Sequence, residues 1–302
     1  MDYKKIIKSR STRKKILRLF DWVPSSLMLK FQYRIKTGRK LNLKNPQRFT
    51  EKLQWYKLNY NNPLMKQCVD KYDVREYVKF IGLENILIDC YGVFDCVEDI
   101  NFDLLPDKFV IKDTLGGGGN SVIVFDKNGK LSIDDLKIKI QSWIDIDPNK
   151  RHSGRESVYE GKKHRIIIEK FLDTNGGDLL DYKFLCFDGK ATHLYIVSDR
   201  KLGNGAKFGT YDIDYNKLDV YRSDERKQLN KIEKPKKYDK MVEYAEMLSK
   251  KFKHCRVDLY NIDGKIYFGE ITFYDGSGYM QYDPDEFDFE LGKKFKLVKY
   301  DE

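Results

Sequence analysis

The sequence predicts an α+β protein whose sheets are built from antiparallel hairpins and not from alternating βαβ units. Three observations carry this. Asp188-Gly189 and Asp263-Gly264 each separate two apolar, β-branched runs, the pattern of a two-residue hairpin turn. A third hairpin, residues 107–129, carries four glycines at its tip, Gly116, Gly117, Gly118 and Gly119. Among these hairpins lie segments with helical apolar spacing, clearest in Met241, Tyr244, Ala245, Leu248 and Phe252.

The elements follow in chain order. Residues 1–40 hold 13 Lys/Arg against two acids, Asp2 and Asp21, a net +11. The other 262 residues hold 44 basic and 45 acidic side chains, so the overall +10 belongs to this one segment. Its cations alternate with Ile6, Ile7, Ile16, Leu17, Phe20 and Trp22, which predicts a basic amphipathic helix. Such a helix can pack on the body, lie on an anionic membrane face, or hold an anionic ligand. No nucleic-acid motif accompanies the charge, so nucleic acid is not an expected partner. Two helices follow, with an N-cap at Thr50, a break at Asn61-Asn62-Pro63 and an end at Gly82. Residues 85–94 read as a strand, 131–143 as a helix and 144–163 as a polar loop. Ile166 to Leu172 read as a buried strand, while 201–236 show little periodicity. A helix over 238–252, a hairpin over 257–273 and an acidic, aromatic tail complete the chain. The expected organisation is a basic helical region, 1–65, and a body, 66–302, with lobes 66–165 and 166–302.

Mean hydropathy is −0.64, and no apolar run approaches the roughly 20 residues of a bilayer span. With no signal-peptide pattern either, a soluble, cytoplasmic chain is expected. The five cysteines are scattered, with no C-x-x-C pair, and read as buried free thiols of a reducing compartment. The four histidines do not cluster with them, which speaks against zinc.

The glycine tip leads into a strand and lacks a following Gly-Lys-Ser/Thr, so it is neither a Rossmann turn nor a P-loop. It reads as a mobile surface turn or as a flap whose bare N–H groups, with Ser121, cover a triphosphate. Lys112, on the strand entering it, is either an exposed strand lysine or a phosphate ligand. Ile166 to Leu172 is either plain core or an adenine wall, with Glu169 accepting from the exocyclic amine and Phe171 and Leu172 flanking the ring. Asp258 and Glu270 lie on the two arms of the last hairpin. Counting from its turn sets Asp258 opposite Gly269, with Glu270 one step further. Paired acids among Val257, Leu259, Ile271 and Phe273 are costly unless a cation binds them, and oxygen donors suit Mg2+. The other reading is an exposed pair with Arg256 as salt-bridge partner.

In this order the pieces resemble the ATP-grasp superfamily and, more closely, the TupA-like ATP-grasp proteins of bacterial polysaccharide gene clusters. The resemblance rests on FTEKLQWYKL (49–58), CVDKYDVREYV (68–78), LPDKFVIK (105–112), DYKFLCFDGK (181–190) and RVDLYNIDGKIYFGEITFYDGSG (256–278). It implies an ATP-grasp fold, two α+β subdomains gripping ATP between antiparallel sheets. It further implies that Lys71 and Lys112 contact phosphates and that Gly116 to Gly119 with Ser121 form the flap. Glu169, Lys170, Phe171 and Leu172 would hold adenine, and Asp181 the ribose. Lys183 would face the γ-phosphate, and Arg200 would steady the transferred phosphoryl. Asp258, Glu270 and Thr272 would bind two Mg2+. Thr272 stands where many relatives have asparagine and offers a weaker single oxygen.

The activity implied is an ADP-forming carboxylate–amine ligase working through an acyl phosphate. Its acceptor would be a uronic acid, on a sugar nucleotide or a capsule or O-antigen precursor. Its second substrate would be an amine or amino acid. An ATP-dependent sugar or small-molecule kinase and a glycosyltransferase are the alternatives. The acceptor pocket is expected along 144–163 and 201–225, and the basic N-terminus is a candidate for peripheral contact with the inner membrane face.

Overall fold

The structure, a computed structural model, describes residues 16–17, 19–117, 119, 121–199 and 205–299. Gly118, Arg200 and the expected apolar positions Ile6 and Ile7 lie outside the described residues.

Among the described residues from Ser25 to Phe80 lie four helices: α1 (Ser25–Thr37), α2 (Phe49–Asn59), α3 (Pro63–Cys68) and α4 (Val74–Phe80). α1 ends at Gly38, whose left-handed backbone lets its N–H reach the Arg34 carbonyl. Arg48, not Thr50, occupies the N-cap of α2. Thr50 lies inside the first turn, and its N–H and hydroxyl donate to buried Asp288 at 3.0 and 2.7 Å. Glu51 bends back to accept the Arg48 N–H at 3.2 Å. Where one helix was expected after Pro63, there are two. Buried Asp70 accepts the N–H groups of Tyr72 and Asp73 and pairs with Arg165 at 3.0 Å, which diverts the backbone between Cys68 and Val74.

Strands β1 (Cys90–Phe94), β2 (Lys108–Asp113), β3 (Val122–Asp126) and β4 (Ile166–Lys170) form an antiparallel sheet in the order β1-β4-β2-β3. β1 is shorter than the expected 85–94 strand, because Glu84–Ile86 makes a 3-10 turn. α5 (Ile133–Ile144), capped by the Ser132 hydroxyl, buries Leu136 and Ile140 against Phe109, Ile111, Phe125 and Ile166. β4 completes this sheet, so the break between sheets falls beyond Lys170 and not at 165/166.

The second sheet is built from β5 (Asp181–Phe187), β6 (Lys190–Ser198), β7 (Lys207–Asp212), β9 (Arg226–Lys227), β10 (His254–Ile262) and β11 (Lys265–Thr272), in the order β11-β10-β5-β6-β7-β9. A separate pair joins β8 (Tyr221–Arg222) to β12 (Tyr282–Asp283). Asp188-Gly189 and Asp263-Gly264 both turn with positive φ, as their sequences demand. α6 (Tyr238–Ser249) covers the sheet with Met241, Ala245 and Leu248. α7 (Glu286–Lys294) packs on α2. Phe49, Leu53 and Tyr56 of α2 share one core with Tyr182, Phe184 and Val257, so residues 49–65 are not a separate N-terminal region. All five cysteines are free; Cys68, Cys186 and Cys255 are buried, but Cys90 and Cys96 are partly exposed. Among the described residues no helix is long and apolar enough to cross a membrane.

Candidate active site

A cleft of about 1350 Å³ separates the two sheets. One wall comes from β2, β3 and the glycine loop, the other from β5, β10 and β11.

On the first wall the β2–β3 register brings Lys112 opposite Val122, with the glycines beyond both. Gly116 is required by packing: a Cβ there would fall 2.6 Å from the Ser121 Cβ. Gly117 faces open space, with nothing within 4 Å of a Cβ, and Gly119 has φ 72°. Lys71 anchors the loop, its N–H donating to the Thr114 carbonyl at 2.9 Å and its Nζ to the Gly116 carbonyl. The same Nζ lies 4.0 Å from Glu270 on the opposite wall. Lys112 Nζ meets Glu169 at 2.5 Å, and Arg75 stands 3.6 Å from the other oxygen of that carboxylate. Glu169 is buried behind the wall and fixes Lys112, whereas Lys170, Phe171 and Leu172 line the cleft.

On the second wall, alternation along β5 points Asp181 and Lys183 to one face, and Lys183 lies opposite Asp258 on β10. Lys183 Nζ is 2.6 Å from Asp181 and also donates to Asp258. The β10–β11 pair contains a bulge at Gly269, so Asp258 pairs directly with Glu270. This corrects the count from the turn, which set Gly269 opposite Asp258. A Cβ on Gly269 would lie 2.9 Å from the Asp258 carbonyl oxygen, so glycine lets the strands close here. Thr272 donates to Glu270 at 3.2 Å.

Arg256, named from the sequence only as a salt-bridge partner, is central. Its guanidinium donates twice to Asp258 at 2.7 Å, to Glu270 at 3.1 Å and to Thr272 at 3.2 Å, and also binds Asp275. Its two-residue spacing from Asp258 put both on one face. The convergence of Glu270 and Asp275 depends on the bulge and on the turn after β11. Burial pushes the Asp258 carboxyl above its usual range, against the pull of Arg256 and Lys183.

The donor set suits a hard cation. Among the described residues no three His, Cys, Asp or Glu side chains gather as a metal cage. Two facing carboxylates and a hydroxyl are instead hard oxygen donors of the kind Mg2+ takes, here shared with Arg256 and Lys183, which would have to release oxygens to an ion. Room beside the Gly117 Cα, with Lys71 and Lys112 lining the same cleft, suits phosphate. Both low-pattern stretches contribute to the cleft, through Arg151, His152 and Glu156 and through Phe208 and Arg222. The N-terminal segment contributes Leu17, Asp21 and Lys36.

A family model described as TupA-like ATPgrasp matches residues 51–296. Among solved structures, the chain is similar to D-alanine–D-alanine ligase from Bacillus anthracis complexed with ATP. That match has 20% identity and a TM-score of 0.40, and covers 68% of this chain and 55% of the ligase. D-alanine–D-alanine ligase from Helicobacter pylori matches at 15% identity and TM-score 0.45, over 84% of this chain and 68% of that one. An L-amino acid ligase from Bacillus licheniformis matches at 14% identity and TM-score 0.42, over 79% and 51%. The chain thus spans little more than half the length of the Bacillus anthracis ligase. No curated protein matches it.

Proposed function

Since the chain belongs to the TupA-like ATP-grasp family, we propose that it is an ADP-forming carboxylate–amine ligase, activating a sugar carboxylate with ATP and joining it to an amine or amino acid. One observation carries this reading. A lysine-backed glycine loop and a carboxylate hairpin with a buried lysine and arginine meet on one cleft. The first suits a triphosphate, and the second suits the charge that moves when a phosphoryl group is transferred.

In this reading Lys71 and Lys112 hold phosphates while Gly116, Gly117 and Ser121 close over them. Lys170, Phe171 and Leu172 flank the base, Glu169 fixes Lys112, and Asp181 meets the ribose. Asp258, Glu270 and Thr272 would hold Mg2+, as two ions, which when bound would neutralise phosphate charge. Lys183 and Arg256 balance the charge on the transferred phosphoryl and on the oxyanion of the tetrahedral intermediate that amine attack creates. The glycine loop keeps water from the acyl phosphate.

The acceptor is a uronic acid, on a sugar nucleotide or a surface-polysaccharide precursor. The resemblance to proteins of polysaccharide gene clusters supports this, as do Lys36, Lys150 and Arg151 on the cleft wall. The test supplies ATP, Mg2+, UDP-glucuronate or UDP-galacturonate, and a panel of amines. Phosphate release that needs both uronate and amine supports the ligase. ADP formed without free phosphate means a sugar kinase. No ATP turnover together with no thermal stabilisation by ATP–Mg2+ refutes the reading.

A further inference from the structure

The basic N-terminal segment carries an apolar surface that the fold leaves uncovered. Fifteen large apolar side chains are exposed among the described residues, and seven of them fall between Ile16 and Ile35. Leu19 is 72% exposed, Trp22 81%, Leu27 54% and Phe31 60%. α1 explains how the last of these arise. Met28, Leu29 and Tyr33 face inward, which leaves Leu27, Phe31 and Ile35, at four-residue steps, as an outward stripe. Lys30 and Arg34 are exposed on the same side. An apolar stripe with cations along its edge is unfavourable in water and matches the boundary between lipid headgroups and acyl chains.

We propose that residues 16–35 dock the protein onto an anionic bilayer, with Trp22, Leu27, Phe31 and Ile35 inserted and Lys30 and Arg34 on headgroup phosphates. Charge decides between a membrane and a protein as occupant. The first 40 residues hold 13 Lys/Arg against two acids, while the rest of the chain is nearly neutral, so the segment that carries the apolar stripe also carries the chain's excess of positive charge in sequence. A mixed Trp, Phe and Leu set beside Lys30 and Arg34 is interfacial in character. The segment is also tied to the cleft. Arg155 donates to the Phe20 carbonyl at 2.7 Å and Arg151 to the Asp21 carbonyl at 2.8 Å, and Leu17 and Asp21 line the cleft. Docking therefore sets the cleft beside the bilayer, where a lipid-borne carboxylate substrate can enter.

Vesicle co-sedimentation tests this independently of any ATP chemistry. The full chain is mixed with phosphatidylcholine vesicles or with vesicles containing about a third phosphatidylglycerol. Binding is expected to the anionic vesicles, weakening as salt rises from about 0.1 to 0.5 M. The triple variant Trp22→Ser/Leu27→Ser/Phe31→Ser should bind about tenfold more weakly or worse, with an unchanged circular dichroism spectrum and melting temperature. Absence of vesicle binding by the natural chain overturns the proposal. So does equal binding by the triple variant, which would mean charge alone. A dimer in light scattering that the variant abolishes, without vesicle binding, means that a second copy covers the face and also overturns it. Loss of ATP turnover with vesicle binding intact would refute only the ligase.

Discussion

Arg256 and His254 stand two residues apart on β10 in opposite surroundings. Arg256 is buried among Asp258, Glu270 and Asp275. Arg256→Ala leaves those carboxylates without their shared cation and should cost about 3–5 kcal/mol in urea unfolding. Mg2+ should restore part of that stability, because the same oxygens would then hold the ion. Phosphate release should fall about a hundredfold or more, and Arg256→Lys, which keeps charge but loses the planar fork, should recover little. Equal stability with and without Mg2+ would count against the metal assignment. His254 donates from Nδ1 to the Cys186 carbonyl at 2.9 Å and is ringed by Phe49, Phe187 and Phe295. Burial pushes its pKa down to about 4. The unfolded chain takes up this proton near pH 6.5, the folded one only near 4, so folding stability falls as pH drops through that window. The loss amounts to about 3 kcal/mol. His254→Leu should flatten this part of the profile, and parallel stability curves for the two proteins between pH 7 and 4 would refute the assignment. Neither role was legible beforehand: residue types and alternation were visible, but the groups that converge on each side chain come from distant parts of the chain.

At the scale of elements, the hairpins were legible because Asp-Gly turns and β-branched arms encode them locally. The bulge at Gly269 was not, since counting from a turn assumes an unbroken ladder. β7 escaped because Lys207–Asp212 is short, and Gly209 and Thr210 interrupt its apolar pattern. The split between α3 and α4 escaped because Asp70 works through Arg165, far along the chain. The bulge carries a prediction. Gly269→Ala should force apart the backbone at Asp258, misalign Glu270 and raise the Mg2+ concentration needed for half-maximal turnover. An unchanged Mg2+ titration would refute this role. The glycine loop carries another. Gly117 faces open space, so Gly117→Val should leave the melting temperature unchanged while raising KM for ATP about three- to tenfold. A variant with unaltered KM would return the loop to an ordinary surface turn.

For the whole molecule, α2 and α7, far apart in sequence, are fastened together, and the cleft depends on α2. Arg48 binds Asp285 at 2.6 Å, and Lys52 donates to the carbonyls of Gly292 and Phe295, which ties α2 to α7. Such ties span more than 200 residues, so the sequence alone could not show that α2 shares its packing with the last helix. One tie reaches the cleft itself. Lys57 of α2 is only 3% exposed; its Nζ donates to the carbonyls of Gly154 at 3.0 Å and Ser277 at 2.9 Å, and sits 3.4 Å from Glu156. It therefore holds the 144–163 loop against the turn after β11, and both line the cleft. Lys57→Met removes the cation and three donors while Glu156 stays buried and charged, so unfolding should become easier by about 3–5 kcal/mol. Lys57→Met/Glu156→Gln removes the stranded charge and should recover part of that loss, because desolvated charge costs more than a lost neutral hydrogen bond. Below its melting temperature the single variant should keep its KM for ATP, bound along the glycine loop, and raise that for the uronate acceptor, whose wall it loosens. A single variant within about 1 kcal/mol of the natural protein would show that the loop is held by other contacts. Equal increases in both KM values would show that the two ends of the cleft do not respond separately.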